Sequence, residues 1–279
     1  MTGAPLRVVI TGASSGIGKA LAQEYARRGA TLALIARRGD LLTQLADSLA
    51  ARSYAYTADV RDARALAAVA DDFIGRVGCP DVVIANAGVS AGTLTGNPQD
   101  NQVFEEILAI NVTGMMLTFQ PFIEPMKARK RGTLAGIASI AGFRGLPGAS
   151  AYSASKAAAI SYLESLRVEL TGSGVSVVTI CPGYVATPMT GRNPYRMPFL
   201  MDADVAAKKI AGAIARRKRL YVLPWQMAVA GWFMRCLPRP LYDVAHPRFG
   251  VGRGQPPFIS VGACRWQRHS GEVSTSCHL

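Results

Sequence analysis

Ser139 lies thirteen residues before Tyr152, and Lys156 follows Tyr152 by four. At i and i+4 on a helix, a phenol and an ammonium share a face. A free phenol titrates at about 10, too high for ready proton exchange at neutral pH, and a nearby ammonium favours the phenolate and lowers that value. A serine hydroxyl beside them can hold a carbonyl oxygen, so the three residue types make a proton-transfer apparatus. Near the start of the chain stands Thr11-Gly12-Ala13-Ser14-Ser15-Gly16-Ile17-Gly18. It follows an apolar run and opens a helical pattern, the context a dinucleotide fingerprint requires. Gly12 permits a tight turn, Gly16 lets the backbone approach a phosphate, and Gly18 lets the helix pack on the sheet, with the positive helix end facing a pyrophosphate. A proton-transfer group and a dinucleotide cradle in one chain point to hydride transfer.

The end of the second predicted strand chooses between cofactors. An acidic residue there would bond a free ribose 2′-hydroxyl. This chain has Ala36-Arg37-Arg38 instead, and two guanidinium groups suit a 2′-phosphate, so NADP(H) is favoured over NAD(H). Asn86-Ala87-Gly88 ends the fourth strand, where small residues let the sheet edge lie against an adenosine or ribose. Asn111, in Ile110-Asn111-Val112, is a poor residue for a helix interior and a candidate to hold a water that relays protons from Lys156.

These residues need a scaffold, and the hydrophobic pattern supplies one. Apolar strand-like runs at Arg7–Ile10, Thr31–Ala36, Ser53–Thr57, Asp81–Ala85, Gly132–Ala138 and Val175–Ile180 alternate with helical stretches of about a dozen residues. That alternation is the mark of parallel βαβ units, and strands apolar throughout are expected where helices cover both faces. Gln102–Lys127 reads as one long helix and Tyr152–Leu170 as another. Asp202 is placed to cap a helix running to about Arg217, with a last strand at Leu220–Leu223 and a short apolar helix at Trp225–Cys236. The expected fold is α/β: a Rossmann-type doubly wound parallel sheet of about seven strands flanked by helices, over residues 1–224. Residues 225–279 form a basic, apolar extension, with a poorly ordered tail from about Pro247.

The 279 residues suit one well-packed domain, and 49% hydrophobic content with 28 glycines fits a globular α/β protein. The five cysteines (Cys79, Cys181, Cys236, Cys264, Cys277) lack metal or disulfide spacing. With nothing at the N-terminus resembling a signal peptide, they suggest a reducing, cytoplasmic setting and no metal site. The net charge of +13 is uneven: residues 1–191 hold 17 Lys/Arg against 14 Asp/Glu, and residues 192–279 hold 14 against 4. That asymmetry suggests an anionic partner.

Taken together, Thr11 to Gly18, Asp59-Val60, Asn86-Ala87-Gly88, Asn111, Ser139, Tyr152-Ser153-Ala154-Ser155-Lys156 and Pro182-Gly183-Tyr184-Val185-Ala186-Thr187 resemble the classical short-chain dehydrogenases/reductases in type, order and spacing, over about residues 6 to 224. The resemblance implies that Tyr152 is the general acid/base, that Ser139 orients the carbonyl or alcohol, that Lys156 lowers the tyrosine pKa, and that Asn111 completes a tetrad. It implies cofactor contacts from Gly12, Ser14, Ser15, Gly16, Ile17, Gly18, Asn86, Ala87, Gly88, Tyr152 and Lys156. Asp59 would bond the adenine amino group, Val60 would pack beside the ring, and Pro182, Gly183, Val185 and Thr187 would hold the nicotinamide. Arg37 or Arg38 matches the basic position of NADP-preferring members. Dimers or tetramers through Gln102–Lys127 and Tyr152–Leu170 are implied as well. The family commonly ends soon after the last strand, whereas this chain runs on beyond Pro224.

Before that extension stands Arg216-Arg217-Lys218-Arg219, directly followed by an apolar stretch holding Tyr221, Trp225, Trp232 and Phe233. Aromatics beside a basic cluster suit a membrane interface on the cytoplasmic face, and the stretch 216–236 is too short and interrupted to span a bilayer. A helix covering the substrate cleft, or pairing with another subunit, is the plainer reading. Nucleic acid is not expected, because no binding motif accompanies the charge. The terminal Cys277-His278-Leu279 only loosely echoes a peroxisomal address. The segment Pro188–Met201, with Met189, Tyr195, Met197, Phe199 and Leu200, reads as a lid for an apolar carbonyl or alcohol substrate. The rival to an enzyme is a dinucleotide-binding regulatory or peripheral membrane protein without turnover.

Overall fold

The computed structural model describes residues 5–192 and 196–245. Tyr195, Cys264, Cys277 and the tail from Pro247 lie outside them. The order of elements is β1 (Arg7–Thr11), α1 (Gly16–Arg27), β2 (Thr31–Ala36), α2 (Gly39–Ser48), β3 (Ser53–Thr57), α3 (Ala63–Val77) and β4 (Val82–Ala85). The second half adds α4 (Asn101–Leu108), α5 (Gly114–Ala128), β5 (Gly132–Ile137), α6 (Ser150–Glu169) and β6 (Val175–Pro182). Then come β7 (Val185–Ala186), β8 (Met201–Asp202), α7 (Ala203–Ala215), β9 (Leu220–Leu223), α8 (Trp225–Cys236) and α9 (Arg239–Ala245).

Seven strands form one parallel sheet in the order β3-β2-β1-β4-β5-β6-β9. Strand order reverses between β1 and β4, so a crevice opens outside their carboxyl ends, where doubly wound sheets bind ligands. Alternate residues of each strand feed opposite faces. Val8, Ile10, Leu32 and Leu34 join Leu21 of α1 and Ile210 of α7 on one side. Val9, Ile35 and Val83 join Phe73, Phe119, Phe122 and Leu163 of α3, α5 and α6 on the other. Each of these large side chains contributes about 1.5–3 kcal/mol by leaving water. β2, β4 and β5 are buried at every residue, as parallel strands under two helix layers must be. The edge strand β3 departs from that expectation: it lacks a neighbour on one side, and its residues are half-buried or exposed.

Three sequence expectations are revised. The helix expected over Gln102–Lys127 is interrupted by one π-helical turn, Ala109–Thr113, centred on Asn111. By length and composition the helical run Pro98–Ala128 could cross a membrane, but here α4 and α5 pack on α6 and α3. Asp202 stands at the N-cap of α7 without a side-chain hydrogen bond to it. The lid pairs β7 with β8, a short two-stranded link that the aperiodic sequence did not announce. The extension is docked on the body: a methyl placed on Gly231 of α8 would lie 2.7 Å from the Phe143 ring, and one on Gly183 would lie 2.9 Å from the Met227 side chain.

Candidate active site

The glycine turn is built by steric exclusion. Gly12 has φ +67°, and a Cβ there would lie 2.8 Å from the Ala87 Cα. A Cβ on Gly18 would lie 2.3 Å from the Gly12 carbonyl oxygen, so α1 can sit this close to the turn only with glycine there. Below, Asn86 Nδ2 donates to the Thr11 carbonyl at 2.9 Å, and the Asn86 backbone N–H donates to Thr11 Oγ1 at 3.1 Å. Asn86 therefore locks the ends of β1 and β4 together, a role beyond the smallness its motif suggested.

Ser15 occupies the N-cap of α1 without capping it. Its hydroxyl and that of Ser14 instead accept from Arg38 Nη2, at 2.9 and 3.0 Å. The first turn of α1 thus offers backbone N–H groups and the positive helix end to the crevice. A turn whose Cβ positions are forbidden, an uncapped helix start and a guanidinium beside it fit a dinucleotide.

The crevice is a cleft of about 660 Å³. Arg37, Arg38, Asp59 and Val60 line one part, and Ser139, Tyr152, Lys156 and Thr187 another. Every site residue named from the sequence lines it except two. Gly18 supports the turn from below, and Asn111 is fully buried behind the wall. Val89, Ile110, Ile137 and Thr190 also line it and were missed. Thr190 had a faint signal in its spacing from Thr187: its Oγ1 donates to the Val185 carbonyl at 2.6 Å and accepts from the Thr187 N–H at 3.0 Å, shaping the β7 turn.

Asp59 is not free to serve any partner with its whole carboxylate. Arg61 grips it at 2.6–3.1 Å. Burial pushes this carboxyl up, but the Arg61 hydrogen bonds outweigh it and hold it below its ordinary range.

Ser139 follows the end of β5, and its Oγ accepts from the Ala141 N–H at 3.1 Å, which leaves its own proton to point elsewhere. The Ser139 hydroxyl acts on the Tyr152 phenol and favours its charged form. Burial raises the Tyr152 phenol above its ordinary value, and the Ser139 hydroxyl pulls it partly back. The sequence reading assigned that lowering to Lys156. In the structure the ammonium is 5.7 Å from the Tyr152 ring centre and donates to the Ile137 carbonyl at 2.9 Å. Lys156 is itself drawn down to about 8, because burial disfavours its charge. Cys181, at the end of β6, lies near Lys156, and burial pushes its thiol up to about 12. Sequence spacing held no hint of this neighbour.

Asn111 has both amide N–H groups engaged, with the Val89 carbonyl and Ser155 Oγ, each at 3.0 Å, and its Oδ1 accepts from the Val89 N–H at 2.9 Å. The amide stitches the segment after β4 to α6 next to Lys156, and the π turn is the local widening that accommodates it.

The protein-family model described as short chain dehydrogenase matches residues 7–196. The chain belongs to the short-chain dehydrogenase family. An uncharacterized oxidoreductase of Myxococcus xanthus is 40% identical over 243 residues, 86% of this chain and 96% of that protein. A short-chain dehydrogenase/reductase from Burkholderia phymatum, solved in complex with NAD, superposes with TM-score 0.74 at 23% identity, covering 82% of this chain and 92% of that one. An alcohol dehydrogenase from Thermococcus sibiricus, complexed with 5-hydroxy-NADP, gives TM-score 0.69 at 27% identity over 78% of this chain and 94% of that one. This short-chain dehydrogenase is an oxidoreductase that uses a nicotinamide dinucleotide.

Proposed function

We propose that this chain interconverts a carbonyl and an alcohol on an apolar substrate with NADP(H), and that Tyr152 moves the proton. The observation that carries the reading is that Ser139, Tyr152 and Lys156 share the wall of a cleft that also holds an uncapped α1 start and Arg38. The nicotinamide, when bound, supplies or accepts the hydride.

Everything else is done by side chains of this chain. Arg38, held by Ser14 and Ser15, meets the 2′-phosphate, with Arg37 beside it. The first turn of α1 meets the pyrophosphate. Asp59 turns whatever edge Arg61 leaves it toward the adenine, and Val60 packs beside the ring. Pro182, Gly183, Val185 and Thr187 line the nicotinamide end. Ser139 donates to the substrate oxygen and Tyr152 shares a proton with it. Burial that raises the phenol leaves Tyr152 protonated and able to donate to a carbonyl oxygen. Lys156 keeps a cation near the ribose and phenol, and Asn111 positions α6 beneath it. Met189 at the cleft and the exposed Phe199 and Leu200 nearby suit an apolar substrate. Pairing of two or four copies through α4–α5 and α6 belongs to this proposal.

The test is fluorescence titration with NADPH and then NADH, followed by turnover of a panel of apolar ketones. Tight NADPH binding, at least tenfold weaker NADH binding, and turnover that Tyr152→Phe abolishes while NADPH still binds are expected. A Tyr152→Phe variant with unchanged turnover overturns the proton-transfer role. Binding without turnover of any ketone or alcohol would favour a protein that uses the dinucleotide only as a ligand.

A further inference from the structure

Helix α8 has two faces. One is docked: Met227 lies against Gly183, and Gly231 lies against Phe143. At its end, Arg144 donates to the carbonyls of Met234 and Leu237, so the helix cannot roll. The other face is therefore held outward, and it is apolar. Trp225 is 71% exposed, Val229 58%, Trp232 67% and Phe233 61%. These positions fall at i, i+4, i+7 and i+8, one stripe of a helix.

The placement of this stripe follows from the parallel sheet. α8 starts where β9 ends, at the carboxyl edge that holds the cleft. Phe199 and Leu200, also exposed, stand just before β8, which pairs with the cleft-wall strand β7. The cleft mouth thus has an apolar rim. From Tyr184 to Asp202 and from Leu220 to Asp243, the chain carries Arg192, Arg196, Arg235 and Arg239 against Asp202 and Asp243, a net positive balance. The basic cluster Arg216 to Arg219 belongs elsewhere. The Thr179 N–H donates to the Arg219 carbonyl at the amino end of β9, about 13 Å away along a strand of four residues. The cluster and the aromatics, which the sequence places in one stretch 216–236, thus stand at opposite ends of β9.

We infer that the rim of the cleft, made by the outer face of α8 with Phe199 and Leu200, rests on an anionic lipid surface, so that the apolar substrate reaches the cleft from the bilayer. The inference rests on the apolar-substrate reading above. Tryptophan and phenylalanine settle at headgroup depth, and an excess of arginine over carboxylate meets anionic lipid. A second copy of the chain would bring the same cations against each other, so the lipid surface is the better complement.

The test is co-sedimentation of the full chain with phosphatidylcholine vesicles, with and without phosphatidylserine. Trp225→Ser/Trp232→Ser/Phe233→Ser removes the stripe, and Arg235→Glu/Arg239→Glu reverses the rim charge. Binding to the anionic vesicles is expected, with at least a tenfold loss in the stripe variant and loss of the anionic preference in the charge variant. Arg216→Glu/Arg217→Glu should bind as the parent does. NADPH titration of each variant should be unchanged, which shows that the fold and cofactor site survive and separates this test from that of the proposed activity. No vesicle binding by the parent overturns the proposal, as does equal binding by the stripe variant. A concentration-dependent dimer in light scattering that the stripe variant abolishes, without vesicle binding, would assign the face to a second copy.

Discussion

The guanidinium of Arg144 stacks on the Tyr242 ring, 4.6 Å from its centre, while the Tyr242 hydroxyl donates to the Gly145 carbonyl at 2.7 Å. Arg144 also donates to the Met234 and Leu237 carbonyls, the exposed acceptors at the end of α8, where a cation is favoured by the helix dipole. One residue on the loop after Ser139 thus ties down α8 and α9. Because that loop follows Ser139, the extension braces the Ser139 side of the cleft.

Arg144→Ala is expected to cost about 2 kcal/mol, because it removes charged hydrogen bonds and a cation–π stack together. Urea unfolding would measure this, and limited proteolysis should cut sooner between residues 224 and 245. Arg144→Lys should recover only part, since an ammonium lacks the fork that reaches two carbonyls. KM for the ketone should rise while the NADPH Kd stays within about twofold. Equal loss of NADPH binding would show that the clasp supports the whole cleft rather than its substrate side.

Arg38→Ala should weaken NADPH binding by about tenfold to a hundredfold, the equivalent of one charged contact of about 1.5–3 kcal/mol. NADH affinity should hardly change, because only NADPH carries the 2′-phosphate. Paired titrations give the answer. An equal drop for both cofactors would mean that Arg38 serves to hold Ser14 and Ser15 in place.

Lys156 gives a pH signature in stability. Its folded value is about 8, below its ordinary value. Between about pH 8 and 10.5 the unfolded chain therefore holds more of this proton, and the group's contribution to stability rises with pH. Below about pH 8 both states are charged, and the fold carries the full cost of a buried ammonium, on the order of 3 kcal/mol. Lys156→Met should be the more stable protein at pH 7, less about 1 kcal/mol for the missing bond to the Ile137 carbonyl. That advantage should shrink as pH climbs through the window. Unfolding midpoints at pH 7 and 10 test this, and a gap constant with pH would contradict it.

Ser139→Ala removes the interaction that lowers the Tyr152 phenol. The phenol should then titrate higher, and the rising limb of alcohol oxidation should move to more alkaline pH. kcat should fall by about a hundredfold or more, as when a donor to a reacting oxygen is deleted. A fall in rate with an unmoved pH limb would mean that Ser139 holds substrate without acting on Tyr152.

Much of this molecule could be read from one dimension. Hydrophobic runs marked the strands and helices because burial is set by local pattern, and β2, β3, β9 and α8 have the bounds the pattern suggested. The glycine turn was legible because a left-handed φ at Gly12 and the contact of α1 with that turn admit glycine alone. Ser139, Tyr152 and Lys156 were found as residue types at a spacing, and family membership could be stated on those motifs.

What the chain order could not express was decided by packing. The π turn at Asn111 depends on partners in two other elements, Val89 and Ser155. The proton balance of the site is set by depth: burial raises Tyr152, draws Lys156 down, and brings in Cys181 from β6. Arg216 to Arg219 and Trp225 are neighbours in sequence but lie at opposite ends of β9, because an extended strand carries its two ends apart. Arg144 and Tyr242 are far apart in sequence and in contact, because α8 and α9 fold back onto the loop that follows Ser139. Sequence alone determined which residue types stand at which spacing, through steric and periodic rules that act locally. Tertiary structure decided which of them share a cleft, how strongly each holds a proton, and which apolar face is turned outward, since those depend on dielectric environment and distance in space.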